Sequence, residues 1–187
     1  MAEILSKFTG ANAKYEIKIS AGPIANGVLA NTDKFNIVFN QDYPKATIAS
    51  KTASLIHEYI HAYFNALYEE YKITKDPHIY DDYPYLKAIF VGGQGGNRAV
   101  AHHDQIVASF FDTMVDVLKQ LQPNIVIAGN PDQFYTDMVW GTLQGTPAYD
   151  NSNLSPEDKE RISSRRAMER DNEPRGANTP MGKPCNK

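Results

Sequence analysis

The sequence predicts an α+β fold in which a small antiparallel sheet, on the N-terminal side, packs against one long helix and about three further helices. Two observations predict this class. Three short stretches that suit β-strands precede residue 40, and a stretch with helical periodicity and no helix-breaking residue then extends from about Ile48 to Tyr71. A chain of 187 residues, of which 42% are hydrophobic, is expected to form one domain with a substantial core.

Charge and cysteine content limit the classes of partner and of metal site. The formal net charge of −3 gives no basic field, so we expect neither a nucleic acid nor an anionic membrane as partner. The single cysteine, Cys185, excludes an intramolecular disulfide and a cysteine-based zinc site, so any metal must be held by histidine and carboxylate. No segment resembles a signal peptide or a membrane span, which predicts a soluble chain, cytoplasmic by default, although a secreted effector also fits.

The predicted strands come first along the chain. Residues 15–20 alternate apolar with polar, as a half-buried strand does. Residues 28–30 and 35–39 flank the polar residues 31–34, which predicts a hairpin with a four-residue turn. We interpret most of these residues as scaffold. An edge strand beside a site could also pair with an extended peptide substrate.

The long helix carries the motif His57-Glu58-x-x-His61. Helical residues four positions apart lie one turn apart and about 40° around the axis, so both imidazoles can reach one small ion. Glu58 lies beside the pair, where a carboxylate can act on a metal-bound water without being a ligand. Two ordinary helix histidines are the alternative, but the pair lies off the apolar stripe, which comprises Thr52, Leu55, Ile56, Tyr59, Ile60, Tyr63 and Leu67.

This helix is predicted to begin after the start signals at Pro44 and at residues 47–50, and to end near Lys72. Residues 76–97 then form a long loop, which could be a rim or lid over the site or a packed connector. The loop contains two prolines, four glycines and an aromatic group, His78, Tyr80, Tyr83 and Tyr85.

A second helix is predicted from Ala99 or Ala101 to Leu121, and His103 heads its inward-facing apolar stripe. A catalytic zinc site needs three protein ligands and an open position, and we select His103 as the third ligand because an inward imidazole can meet the first helix. His102, off the stripe, is the main alternative. Asp104, Asp112, Glu69 and Glu70 are further candidates, although the two glutamates lie about 12 Å or more along the first helix.

The remaining elements are two helices and a tail. Residues 130–133 form a helix start, with Asn130 as cap and Pro131 at the first position, and that helix ends at Gly141 or Gly145. A charged helix follows from Ser155 to about Arg170, and its arginines are interpreted as a solvated face. The domain therefore spans residues 1–170, and residues 171–187 are predicted to form a flexible or adherent C-terminal tail.

Three patches of this sequence resemble the bacterial SprT-like metallopeptidases, which belong to the zincin class. They are residues 52–63 around the His57 motif, His102-His103-Asp104, and residues 140–146 (Trp-Gly-Thr-Leu-Gln-Gly-Thr). The resemblance implies a zincin-like fold of a small sheet plus helices, one zinc ion and peptide-bond hydrolysis. Relatives often carry a cysteine-rich zinc ribbon or act on DNA-bound proteins. This chain has neither the cysteines nor the basic charge for those roles.

The expected function is that of a zinc-dependent metallopeptidase, with Zn²⁺ held by His57, His61 and His103 and with Glu58 as the general base. The expected partner is a protein or peptide substrate. Peptide hydrolysis also needs a hydrogen-bond donor for the developing oxyanion. Three residues are candidates, and the sequence does not distinguish among them: His78, Tyr135 and Arg98. Two alternatives remain open, a non-catalytic zincin-like binding module and an effector or toxin peptidase that acts on one protein and is held by an inhibitor.

Overall fold

The computed structural model describes residues 2–11, 13–93, 95–125, 127, 130 and 132–185, and within them it confirms an α+β fold. The three strands precede most of the helices, as predicted. The elements, in chain order, are α1 (Ala2–Ser6), β1 (Lys18–Gly22), β2 (Ala30–Asp33), β3 (Asn36–Asn40), α2 (Ile48–Thr74), a 3₁₀ turn (Pro77–Tyr80), α3 (Pro84–Phe90), α4 (Arg98–Ser109), α5 (Phe111–Leu121), α6 (Gln133–Thr142), α7 (Pro147–Asp150) and α8 (Pro156–Asp171).

The sheet is mixed, so the prediction of an antiparallel sheet is wrong. Its strand order is β1-β3-β2: β3 runs antiparallel to β2 but parallel to β1. The chain passes from β1 to the far edge of the sheet and returns through the hairpin into the middle. Alternation of apolar and polar residues is the same in parallel and antiparallel strands, and it therefore could not reveal this order.

The hairpin is tighter than predicted, because β2 continues through Asp33 and only Lys34 and Phe35 form the turn. Lys34 adopts a positive φ of 53° there. The residues interpreted as a polar turn instead pair with β3, with Thr32 opposite Ile37. Asn31 and Asp33 point to the exposed face of the strand, where polar side chains stay hydrated.

Helix α2 is the central element and begins as predicted. The Thr47 side chain accepts a hydrogen bond from the Ser50 amide (3.2 Å), and the helix ends at Thr74, before the cap residue Lys75, whose φ of 56° is left-handed. Its 27 residues span about 40 Å. In the described part of the chain, no helix is both long and apolar enough to cross a membrane. The buried face of α2 includes Ile56, Ile60, Tyr63, Phe64 and Leu67.

Of the two interpretations of residues 76–97, the packed connector agrees with the structure. The 3₁₀ turn and α3 account for half of this segment, and Tyr80 and Leu86 are fully buried in the core. Tyr80 packs against Phe90, with ring centroids 5.6 Å apart. A segment that contributes core side chains cannot open and close as a lid without exposing them.

The predicted second helix is two helices, α4 and α5, which meet at Phe110. The backbone of Phe110 (φ −124°, ψ −8°) leaves the helical region although no glycine or proline lies nearby. Its ring packs against Tyr63, Phe64 and Tyr83 at centroid distances of 6.3, 5.6 and 6.0 Å. We attribute the break to this aromatic cluster, which is assembled by residues distant in sequence.

Of the two helices predicted after this point, the start of one was predicted correctly and the start of the other was not. Helix α8 begins with the predicted capping box between Ser155 and Asp158. Helix α6 begins later than predicted: Asp132 precedes its first residue, and no side chain caps it. Pro131, the predicted first helical residue, lies outside the described residues.

The segment after α8 lies against the start of α2, and both bind Glu169, a fully buried carboxylate in the last turn of α8. Glu169 accepts hydrogen bonds from the amides of Met181 (2.7 Å) and Gly182 (3.0 Å) and from the hydroxyl of Thr47 (2.8 Å). Pro184 also pairs with Thr47 in an isolated bridge. These contacts are those of an adherent segment, while the flexibility predicted for residues 171–187 stays a prediction.

Candidate metal centre

The predicted site residues line an open cleft of about 640 Å³ between α2, the edge strand β2 and the start of α4. Two side-chain hydrogen bonds join β2 and its turn to α2. The Thr32 hydroxyl donates to the Glu58 carbonyl (3.2 Å), and the Asn65 amide donates to the Lys34 carbonyl (2.9 Å). The edge strand is therefore held alongside the motif, where residues 30–34 line the cleft, and among the described residues only β3 pairs with this strand.

His57, His61 and His103 come together at the floor of this cleft. Each offers one ring nitrogen, and these nitrogens lie within 4.8 Å of one another. The Nε2 atoms of His57 and His61 are 2.9 Å apart. Two nitrogens bound to tetrahedral zinc at about 2.0–2.1 Å are roughly 3.3 Å apart, so the three imidazoles fit one ion with small adjustments.

The hydrogen bonds of His57 select the tautomer that a metal needs. The Thr142 hydroxyl donates its only proton to the Val139 carbonyl (2.7 Å), so toward His57 Nδ1, at 3.1 Å, it can only accept. His57 therefore carries its proton on Nδ1, and the lone pair of Nε2 is free. A ligand imidazole that donates its other nitrogen to a neighbour is the usual arrangement around zinc.

His61 is oriented in the same way by His102. Its Nδ1 lies 3.1 Å from His102 Nδ1, while its Nε2 points toward His57. When Nε2 binds a cation, His61 must carry its proton on Nδ1 and donate it to His102. His102 Nε2 is buried and has no partner in the described structure. His102, weighed above as an alternative ligand, thus lies behind His61 instead of beside His57.

The other candidate ligands lie elsewhere. Asp104, one residue beyond His103, lines a separate surface pocket beside Trp140. Asp112 is exposed on α5. Glu69 and Glu70 form ion pairs with lysines. The described residues thus place one group of three candidate ligand atoms around the motif, and its third member is His103.

Glu58 is 7% exposed and lines the cleft together with His57. Burial raises the pKa of Glu58 to about 7, although hydrogen bonds with Thr32 oppose the shift. A carboxyl group whose pKa lies near neutrality can both accept and release a proton at physiological pH. A bound cation would favour the ionised form of Glu58.

The histidines of the site are kept neutral by burial. Burial, followed by repulsion from His103 and Arg166, lowers the pKa of His57 to about 3. Burial likewise lowers the pKa of His102 to about 3 and that of His61 well below its usual value. The pKa of His103 is also lowered by burial. Neutral imidazoles are the form that binds metal, so protons compete little for this site near pH 7.

We expect the metal-free protein to lose stability steeply as the pH falls from about 6.5 to 4.5. In that interval His57 and His102 are protonated mainly in the unfolded chain, and burial shifts His61 in the same direction, whereas Glu58 is protonated mainly in the folded chain. The unfolded state then binds at least one more proton, which corresponds to a loss of stability on the order of 1–3 kcal/mol per pH unit. Urea denaturation of the metal-free protein across this interval measures the slope.

His78→Gln is the matched control for this slope, because His78 is exposed and bonded to Asp81 outside the cleft. This variant should keep the acid-induced loss of stability. His102→Gln should instead reduce the dependence of the unfolding free energy on pH by the amount that corresponds to about one proton. A urea midpoint that stays constant between pH 6.5 and 4.5 would show that the buried histidines are not neutral.

Of the three predicted oxyanion donors, only Arg98 lines the cleft. His78 is exposed in the 3₁₀ turn. Tyr135 lies in the core, where its hydroxyl donates to the Gln122 carbonyl (2.7 Å). The proposals for His78 and Tyr135 are therefore wrong, because neither side chain reaches the site.

Two residues of the site escaped the analysis of the sequence. Thr142, which orients His57, lies in the third of the patches that resemble SprT-like proteins, and that patch was the one available signal. Arg166 lines the cleft, although the arginines of α8 were interpreted as a solvated face. That interpretation is wrong for Arg166, which is half-buried, and the sequence contains no signal for its position.

Comparison of this chain with protein-family models, with curated proteins and with solved structures finds no match.

Proposed function

We propose that this protein is a zinc-dependent metallopeptidase of the zincin class. The observation that carries the proposal is the convergence of three imidazoles, from two separate helices, next to a buried glutamate in an open cleft. His57, His61 and His103 would hold Zn²⁺, and Glu58 would act as the general base. The resemblance of the three sequence patches to SprT-like metallopeptidases supports the same class.

The donor set suits zinc in both number and chemistry. Three neutral imidazoles leave a fourth position open, as catalytic zinc sites do and structural sites do not. Thr142 and His102 provide the outer hydrogen bonds that fix the orientation of two of the rings. When bound, zinc would lower the pKa of its water ligand and would polarise the substrate carbonyl.

The residues of this chain would perform the remaining steps. Glu58 accepts the proton of the attacking water and returns it to the leaving amine, which suits a carboxyl group in a dry environment. The free edge of β2 offers backbone hydrogen-bonding groups to an extended peptide laid along the cleft. Arg98, at the start of α4, is the predicted donor that remains available for developing negative charge.

Cleavage of a peptide library tests this function. We expect the purified protein to bind one zinc ion per chain, to cleave peptides, to lose activity in a chelator and to regain it when zinc is restored. One bound zinc with no cleavage would instead indicate a non-catalytic binding module. Cleavage confined to a single protein substrate would indicate a dedicated effector peptidase. No zinc bound at micromolar concentration would contradict the proposal.

A further inference from the structure

We propose that Arg166 forms a carboxylate-binding subsite at the His57 end of the cleft, and that the substrate carries a carboxylate at that place. The inference rests on the proposed peptidase function and names the chemistry that its cleft selects. The carboxylate can belong to an aspartate or glutamate side chain or to the C-terminus of the substrate, and the experiment below separates these two sources.

The first observation is the pairing of the arginines. The chain has six, at positions 98, 161, 165, 166, 170 and 175. Within the described residues, four of them form ion pairs with carboxylates, and the two that do not, Arg98 and Arg166, both line the cleft. Unpaired guanidinium groups are therefore concentrated where a substrate would bind.

Among the described residues, Arg166 donates only to neutral acceptors. It donates to the Gly27 carbonyl (3.0 Å) and to Gln144 Oε1 (3.0 Å). A guanidinium has five N–H donors, so these two bonds leave donors free for a ligand. Burial, and repulsion from Arg170, lower the pKa of Arg166, which expresses the cost of holding this charge without an anion.

The side chain of Arg166 is also held in position. It lies against α6 at Gly141, where an added Cβ would come within 3.1 Å of Arg166 Cβ. Contact with the backbone of α6 on one side and two hydrogen bonds at the guanidinium restrict its rotamers. A charge that is fixed before binding loses little side-chain entropy when it binds an anion. These contacts favour a built subsite over a solvated arginine.

The position of Arg166 relative to the candidate metal centre determines where a bound carboxylate would lie. Arg166, His57, Glu58 and Thr142 line both the cleft and a small adjoining pocket of about 50 Å³. A ligand group held by Arg166 therefore lies next to the catalytic residues, on the side of His57. A guanidinium can donate two parallel hydrogen bonds, and carboxylate is the anion of peptides that matches such paired donors.

Arg98 marks the opposite end of the cleft and is engaged differently. It donates to Asn65 Oδ1 (3.3 Å), two turns of α2 beyond His57, and its guanidinium lies 4.2 Å from the centre of the Tyr68 ring. It is exposed. Arg98 is thus solvated and stacked on an aromatic ring, which leaves Arg166 as the half-buried arginine of the cleft that pairs with no carboxylate among the described residues.

The test is peptide binding to the zinc-loaded Glu58→Gln protein, measured by fluorescence polarisation. Matched peptides carry aspartate or asparagine, or glutamate or glutamine, at each position in turn, and each is made with a C-terminal acid or amide. We expect one carboxylate to tighten binding about 10- to 100-fold, as charged hydrogen bonds do. Loss of the preference in the amide series identifies the C-terminus, and loss at one internal position identifies a side chain.

Arg166→Gln should abolish this preference, so that each acidic peptide binds no more tightly than its neutral counterpart, and Arg166→Lys should retain part of the preference. Arg175→Gln is the matched control, since Arg175 is exposed and pairs with Asp171 outside the cleft. A parent protein with no carboxylate preference, or a preference that persists in both Arg166 variants, overturns the inference. Peptide binding is measured without hydrolysis, and it is repeated with the metal-free protein, so the result can be interpreted even if the peptidase proposal fails. Circular dichroism checks that each variant is folded.

Discussion

Replacement of Glu58 by glutamine is expected to lower kcat by about 10²- to 10⁴-fold, the usual contribution of a general base, while zinc binding is retained. Glutamine has nearly the same volume, so the buried position should stay packed. It cannot accept the proton of the attacking water, because its amide is not basic. Steady-state cleavage of the best library peptide, together with zinc content per chain, measures both effects.

Glu69→Gln is the matched control for this substitution. Glu69 lies on the same helix, and its ion pair with Lys72 is at the surface. This variant should cleave at the rate of the parent. If Glu58→Gln also cleaves at that rate, Glu58 is not the base. If Glu58→Gln loses zinc, its carboxylate is a ligand and the roles assigned above are wrong.

The second large effect concerns zinc affinity. We expect His103→Ala to weaken zinc binding by about 10²- to 10³-fold, since the 10–16 kcal/mol typical of a protein zinc site is shared among its ligands. His102→Ala should weaken it less, by about 10- to 100-fold at most, because His102 acts through its hydrogen bond to His61. Competition with a chromophoric chelator gives both affinities.

X-ray absorption at the zinc edge distinguishes the two roles independently of affinity. The count of coordinated imidazoles should fall from three to two in His103→Ala and stay at three in His102→Ala. The opposite pattern would make His102 the third ligand and would require the start of α4 to turn relative to the arrangement described here. The order of the two affinities would then also be reversed.

The candidate site was predictable from the sequence to the extent that local geometry determines it. The spacing of His57 and His61 is one helical turn, and any helix that carries this spacing places both rings on one face. His103 was preferred over His102 because it continues an apolar stripe. Each of these inferences uses residues of a single helix, where rise and rotation per residue are known in advance.

The structural features that were predicted incorrectly depend on contacts between distant segments. The direction of β1 relative to β3 follows from the path of the chain across the sheet, and the break at Phe110 follows from aromatic rings contributed by α2 and the connector. The role of His102 depends on its distance from His61, 41 positions away. No periodic pattern within one segment reports such a contact.

The sequence by itself determined the class of the fold, the long helix, and a pair of imidazoles with a carboxylate at their side, because helical periodicity converts spacing into direction. Only the tertiary structure decided which side chains complete that site. Arg166 shares its local pattern with the other arginines of α8, but it faces the cleft and, unlike Arg165 and Arg170, pairs with no carboxylate in the described part of the chain. That difference arises from packing of α8 against α6, and packing partners are not encoded in the spacing of residues along one helix.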